Sequence, residues 1–137
     1  MKLGLVAADF NFDVTSLMLE RARRHAEFLG AELVVIHVPG VFDMPAIIKK
    51  LLARKDIDAV VMIGAVIKGD TLHDEVIMHA TAQAAAQLAA QTGKPVGFGV
   101  TGPGMTRDQA IDRIDNARNA VESLVKLLQA LKQIDSA

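Results

Sequence analysis

The 137-residue sequence has no cysteine, no tryptophan and no tyrosine, and five phenylalanines are its whole aromatic content. Without cysteine the chain forms no disulfide, so its stability has to come from a hydrophobic core; this fits a reducing compartment. No apolar run approaches the roughly 18 to 20 residues of a membrane-spanning helix. The first apolar segment is interrupted too early, at Asp9, for a signal peptide. We therefore expect a cytoplasmic protein without a membrane partner.

An excess of basic charge is also missing. The chain has 15 lysines and arginines against 16 aspartates and glutamates, for a formal charge of -1. It contains no basic run and no basic-aromatic stripe of the kind that nucleic-acid-binding proteins carry, so we expect no nucleic-acid partner. His73 and His79 are six positions apart, which is not the i, i+4 spacing of a helical zinc pair, so we expect no metal. Small molecules are left as the expected ligands.

The sequence does contain ample apolar residues, at 51% of the chain. That is enough for a single domain over residues 1–137 with a sizeable core. Short apolar, β-branched runs alternate with segments of helical period, which predicts an α/β protein with a four-stranded parallel sheet between helices, a three-layer α-β-α sandwich. The predicted strands, all expected to be buried on both faces, are 3–8, 33–38, 59–67 and 96–100.

The helical segments carry their own start and stop signals. We expect the first helix to begin at an Asp13 N-cap and to end at Gly30. The second should follow Asp43 and end near residue 54, and the third should span about 70–92. After a predicted turn at 101–104, Thr106 starts a capping box, and one long helix should then reach about residue 134. The apolar face predicted for the first helix consists of Val14, Leu17, Met18, Ala22, Ala26 and Leu29.

Right-handed crossovers would bring the loops after the four strands together at the carboxyl edge of the sheet. In the third loop, Gly69 lets a ligand approach the backbone, and the amides of Asp70 and Thr71 would open a helix, which makes an anion site. A plain helix cap is the alternative. His73 lies on the same turn, where the helix dipole favours a neutral, proton-accepting ring suited to a general base or proton shuttle. The alternative there is a solvated or capping histidine.

Two other loops at this edge carry candidate binding residues. Phe42 and Asp43 lie in a loop stiffened by prolines, where Asp43 is an N-cap or an acceptor for sugar hydroxyls. Phe10 and Asn11 follow the first strand, where the ring could stack on a flat heterocycle or pack in the core. Further along the chain, arginines at 107 and 113 could clamp a phosphate or be solvated helix charges.

In this order, these segments resemble lumazine synthases of the riboflavin pathway, the short archaeal-type members most closely. The resemblance covers nearly the whole chain. Its two specific parts are Pro-Gly-Val-Phe-Asp-Met-Pro at 39–45 and Gly-Ala-Val-Ile-Lys-Gly-Asp-Thr-Leu-His at 64–73, and Phe10-Asn11, Phe98 and Arg113 add to them. The resemblance implies a flavodoxin-like fold, and it implies no metal or organic cofactor.

The reaction implied is the condensation of 5-amino-6-(D-ribitylamino)uracil with 3,4-dihydroxy-2-butanone 4-phosphate to 6,7-dimethyl-8-ribityllumazine, with release of phosphate and water. In this resemblance His73 moves protons, Phe10 stacks on the pyrimidine, and Val66 and Ile67 meet the ring edge through their backbone. The other implied substrate-binding residues are Asn11, Val41, Phe42, Asp43 and Phe98. The implied phosphate-binding residues are Gly69, Asp70, Thr71 and Arg113.

Family resemblance also implies a homo-oligomer with active sites between subunits, in which the neighbour supplies Phe98 and Arg113. Members are pentamers, decamers, or icosahedral shells of twelve pentamers, which are 60-mers. The family's glycine-rich segment after the arginine is replaced here at 114–119, so Arg107 and Arg118 are rival phosphate ligands. Two other functions are alternatives to this condensation. One is an archaeal-type riboflavin synthase that dismutates two lumazines, and the other is a flavin-binding or shell-forming homologue without turnover.

Overall fold

The computed structural model describes residues 1–69 and 73–137 of the chain. Four strands alternate with helices, and a short 3-10 turn at Val41–Asp43 precedes the second helix. The strands are β1 (Lys2–Ala8), β2 (Glu32–Val38), β3 (Ala59–Ile67) and β4 (Val96–Met105). The helices are α1 (Phe12–Phe28), α2 (Met44–Leu52), α3 (His73–Thr92), α4 (Arg107–Asp112) and α5 (Asn116–Ser136).

The sheet is entirely parallel and has the strand order β2-β1-β3-β4. Residues on one face of β1 and β3 pack with α1, α4 and α5, and residues on the other face pack with α2 and α3. Adjacent residues of β1 such as Leu5 and Val6 therefore lie in different cores, because successive side chains of a strand point to opposite faces. The predicted flavodoxin-like three-layer sandwich is confirmed.

Burial separates the central strands from the edge strands. Nearly every residue of β1 and β3 is buried, whereas β2 is partly exposed from Leu33 to His37 and β4 is partly exposed at its start. The prediction that all four strands are buried on both faces is therefore wrong for β2 and β4. Both lie at an edge of the sheet, and a helix layer on each face shields the middle of a sheet better than its sides.

The predicted turn at 101–104 is also wrong, because β4 continues through it. Thr101 pairs with Ala65 and Met105 pairs with Ile67, with one irregularity between these two pairs. Gly102 has a φ of 119°, and a side chain there would collide with the backbone carbonyl of Val66. Gly102 thus allows β4 to approach β3 closely, and the Gly-Pro-Gly sequence does not end the strand.

Helix boundaries differ from the prediction at two places. Asn11, and not Asp13, is the N-cap of α1, and Leu17 on its predicted apolar face is 50% exposed. The prediction of a single long terminal helix is wrong, because residues 113–115 divide this segment into α4 and α5. The capping box of Thr106 with Gln109 and the stop at Gly30, with a φ of 78°, are confirmed.

The start predicted for α3, near residue 70, lies outside the described residues. In the part of the chain that the structure describes, no helix combines the length and apolar character needed to cross a membrane.

Candidate active site

A cavity of about 220 Å³ lies at the carboxyl edge of the sheet, where β1 and β3 end. It collects the loop after β1, the 3-10 turn after β2 and the first turn of α3. Its lining residues are Ala8, Phe10, Asn11, Gly40, Val41, Phe42, Ala65, Val66, Ile67, Gly69, His73, Asp74 and Ile77. Residues from three of the predicted loops therefore meet in one place.

The loop after β1 places an aromatic ring and an amide at the cavity. The N–H of Phe10 donates to the carbonyl of Pro39 at 2.9 Å, which ties this loop to the one after β2. The Phe10 side chain is 74% exposed, so its ring is not part of the core. Asn11 has a left-handed backbone with a φ of 64°, and its Nδ2 donates to the carbonyl of Ala65 at 2.9 Å.

Arg107, at the start of α4, contacts this loop. Its Nη2 donates to Oδ1 of Asn11 at 3.0 Å, and its Nη1 lies 2.6 Å from both carboxylate oxygens of Asp13. The hydrogen bond and the positive charge of the guanidinium hold the pKa of Asp13 below its ordinary value. The guanidinium of this rival phosphate ligand is thus bound to the chain's own residues.

The turn after β2 contributes an apolar wall. Val41 is buried against Gly64, where a side chain would come within 2.7 Å of a Val41 methyl group. Phe42 is 63% exposed and lines both this cavity and a second groove of about 520 Å³, which includes Asp43 and Thr81.

Asp43 does not line the main cavity. Its Oδ2 accepts the N–H of Gly40 at 2.9 Å, which closes the 3-10 turn. The side chain makes no capping bond to α2, although Asp43 occupies the N-cap position, so the predicted capping role applies to the turn and not to the helix. As a ligand for a sugar hydroxyl, Asp43 would act from the neighbouring groove.

The loop after β3 places His73 at the cavity. The N–H of Lys68 donates to the carbonyl of Met105 at 2.7 Å, and Gly69 lines the cavity. Asp70 and Thr71, the predicted phosphate-binding amides, lie outside the described residues. His73 is the first residue of α3 that the structure describes, and its side chain is exposed.

Asp74 is a residue of the cavity that the sequence analysis does not predict. It is 6% exposed, and its Oδ2 accepts the N–H of Gly104 at 2.8 Å, which joins the first turn of α3 to the end of β4. In a sequence, an aspartate in the first turn of a helix is typical of a solvated residue that complements the helix dipole. Its burial depends on β4 extending past residue 101, which the predicted turn excluded.

Phe98 and Arg113 lie elsewhere on the chain. Phe98 is on the edge strand β4, 41% exposed, in a groove of about 410 Å³ between β4 and α5. Arg113 is exposed at the end of α4, and Arg118 on α5 donates to Asn119 at 3.3 Å. Of the described residues that line the main cavity, none is a lysine or an arginine.

His25 and His37 make contacts away from the cavity. His25 is buried between α1 and α5 and bonds to Glu122 at 2.5 Å, and His37 lies 3.0 Å from Asp9. Across residues 1–69 and 73–137, no three metal-ligating side chains form a cluster suited to a metal ion.

A doubly covered parallel sheet with a cavity at its carboxyl edge, lined by an aromatic ring, an amide and an imidazole, defines an α/β protein built to bind a small organic molecule. The sequence profile of the family described as 6,7-dimethyl-8-ribityllumazine synthase matches residues 1–132. The chain belongs to this family.

Curated relatives with that same name cover almost the whole chain. One from Methanococcus maripaludis is 54% identical over 135 residues, which is 98% of each chain. One from Methanocaldococcus jannaschii is 52% identical over 136 residues, 98% of this chain and 96% of the relative. A third, from Saccharolobus islandicus, is 52% identical over 137 residues, 98% of this chain and 89% of the relative.

Proposed function

We propose that this chain is a transferase of riboflavin biosynthesis that condenses 5-amino-6-(D-ribitylamino)uracil with 3,4-dihydroxy-2-butanone 4-phosphate to 6,7-dimethyl-8-ribityllumazine. The observation that carries the proposal is that Phe10, Asn11, Phe42 and His73 line the same cavity. Identity of 52–54% to relatives named for this product supports it. The reaction needs an aromatic surface for the pyrimidine and a proton carrier beside it, and we assign these roles to Phe10 and His73, which both line the cavity.

We infer a role for each group, supported by its position. The exposed ring of Phe10 stacks on the pyrimidine, and the exposed ring of Phe42 covers the ribityl side together with Asn11. As the sequence predicts, the backbone amides of residues 69–71 bind the phosphate of the butanone; of these, residues 70 and 71 lie outside the described part of the chain. In this arrangement the amine of one substrate lies next to the ketone of the other, and such positioning is itself a large part of catalysis.

His73 moves protons in the bond-making and bond-breaking steps of this proposal. The amine nitrogen attacks the ketone carbon, and the resulting carbinolamine loses water to give an imine. A proton is then removed from the carbon chain, and the C–O bond to phosphate breaks with release of inorganic phosphate. The enol left by this elimination tautomerises to a new carbonyl. The ribityl-bearing nitrogen attacks that carbonyl, and loss of a second water closes the ring. At the cavity edge, the imidazole accepts and returns the protons of these steps.

We propose further that the complete site forms between two copies of the chain, in a pentamer or in a 60-mer of twelve pentamers. The cavity volume of about 220 Å³ is below the roughly 300 to 1,000 Å³ of typical ligand pockets, which supports a site completed by a neighbouring copy. Phe98 is exposed on an edge strand and Arg113 is exposed at the end of α4, where a neighbour could bring them to this cavity. Because Arg107 already binds Asp13, the phosphate is assigned to Arg113, with Arg118 as its rival.

The test is direct. Purified protein is incubated with both substrates, and lumazine fluorescence and inorganic phosphate are followed against the spontaneous reaction. The expected result is an enzyme-dependent rate with equal amounts of the two products. No rate above the background would refute the proposal. Incubation with lumazine alone should give no riboflavin, and riboflavin formation would instead identify a riboflavin synthase.

A further inference from the structure

A guanidinium clamp joins the start of α4 to the loop that carries Phe10 and Asn11. Arg107 donates to Asn11 Oδ1 at 3.0 Å and to both oxygens of Asp13 at 2.6 Å. The backbone beneath Arg107 is itself held, because Thr106 and Gln109 cap α4 reciprocally at 3.2 Å and 2.9 Å. The clamp therefore extends from a well-anchored helix start to a wall of the cavity.

The clamp determines which way the Asn11 amide points. Arginine only donates hydrogen bonds and a backbone carbonyl only accepts them, so Oδ1 of Asn11 has to face Arg107 and Nδ2 has to face Ala65. Asn11 makes no side-chain capping bond to α1 and has a left-handed backbone. Contacts to Arg107 and Ala65 thus hold its carboxamide at both ends.

Stability alone does not account for this arrangement. The side chains of Arg107 and Asp13 are 48% and 57% exposed, and ion pairs of such exposure contribute little to folding. A pair of the same type, Arg54 with Asp56 at 2.6 Å, lies at the opposite edge of the sheet and lines no part of the cavity. What distinguishes the Arg107 pair is its third bond, to a residue of the cavity wall.

We propose that Arg107 is a positioning residue for the pyrimidine substrate, and that it acts through Asn11 and the adjacent Phe10. It holds the amide in one orientation and the loop in one place, so the ring of Phe10 is ready for stacking before the substrate arrives. This inference rests on the proposed function, since it assigns the pyrimidine to this wall of the site. It also removes Arg107 from the phosphate ligands and gives it a different role.

The experiment compares Arg107→Ala with Arg54→Ala, a matched loss of an exposed arginine from an arginine-aspartate pair. Arg107→Ala should raise KM for the aminouracil by about three- to tenfold, the usual range for one lost hydrogen bond. KM for the butanone phosphate and the inhibition constant of inorganic phosphate should stay within about twofold. Arg54→Ala should change none of these constants. If Arg107→Ala does not fold, Arg107→Lys keeps the charge but lacks the planar fork, and the same split is expected.

A double-variant cycle tests the route through Asn11. In an Asn11→Ala background, the Arg107 substitution should raise KM for the aminouracil by a clearly smaller factor, because one of the two groups it positions is gone. An unchanged effect in that background would overturn the inference. A rise confined to the KM of the butanone phosphate would make Arg107 a phosphate ligand, and a fall in Tm with both KM values unchanged would make it merely structural.

Equilibrium binding of the aminouracil alone separates this inference from the proposed function, because binding needs no turnover. If wild-type protein binds the aminouracil without forming lumazine, and Arg107→Ala weakens that binding, the inference stands and the proposed function fails. Wild-type protein that neither binds nor turns over the aminouracil overturns both.

Discussion

Replacement of Asp74 by alanine should lower both stability and turnover. The Asp74 carboxylate is 6% exposed and accepts the Gly104 N–H at 2.8 Å, so it joins the turn that carries His73 to the end of β4. A hydrogen bond to a charged group contributes about 1.5 to 3 kcal/mol, and the alanine variant leaves the Gly104 N–H without this acceptor. For a chain of this length, that loss corresponds to a fall in Tm of roughly 5 to 15 °C.

The turnover effect should be separable from the stability effect. Freeing the first turn of α3 displaces His73, so kcat should fall more than either KM rises. Asp74→Asn is the matched variant, because its amide oxygen still accepts the N–H, and it should lose no more than about 1 kcal/mol. Unfolding is measured at one protein concentration, since the Tm of an oligomer depends on it. A Tm within about 2 °C of wild type for Asp74→Ala would show that this hydrogen bond does not stabilise the fold.

Three further predictions concern proton transfer, assembly and acid stability. His73→Ala should slow lumazine formation by about ten- to a thousandfold with the native mass unchanged; unchanged kinetics would exclude His73 from the mechanism. Mixed assemblies of His73→Ala and Arg113→Ala subunits should recover about a quarter of wild-type activity, because random assembly pairs two intact halves at that frequency, and no recovery would contradict a shared site. His25 lowers the pKa of Glu122 from 4.5, so this stabilisation is complete above about pH 4.5 and is lost as the pH falls further. Glu122→Gln should therefore flatten the acid limb of denaturant-midpoint measurements between pH 5 and pH 3, and an unchanged limb would contradict the contribution.

Much of the cavity could be predicted because it depends on local patterns. The uninterrupted apolar runs of β1 and β3 predict buried central strands, and in a parallel sheet the loops after such strands converge at one edge. Phe10, Phe42 and His73 follow three different strands, and the structure places all three at one cavity. Their chemical roles remain predictions until the variants are measured.

Errors arose where a residue's environment depends on distant parts of the chain. Whether a strand lies at an edge is decided by the order of the strands in the sheet. The exposure of β2 therefore cannot be predicted from its apolar sequence. The Gly-Pro-Gly sequence is typical of a turn, yet pairing with β3 continues through it. The break at Arg113 ends α4 in a segment whose composition favours a continuous helix.

By itself, then, the sequence determined the layer architecture and the set of loops at the ligand edge, because hydrophobic period and strand direction are properties of neighbouring residues. What the charged residues near that edge bind depends instead on how distant segments pack together. Arg107 meets Asn11 from 96 positions away, and Asp74 meets Gly104 from 30 positions away. Whether a side chain binds a ligand, another residue or solvent depends on the groups that lie beside it. Those groups come together only when the layers of the fold have packed.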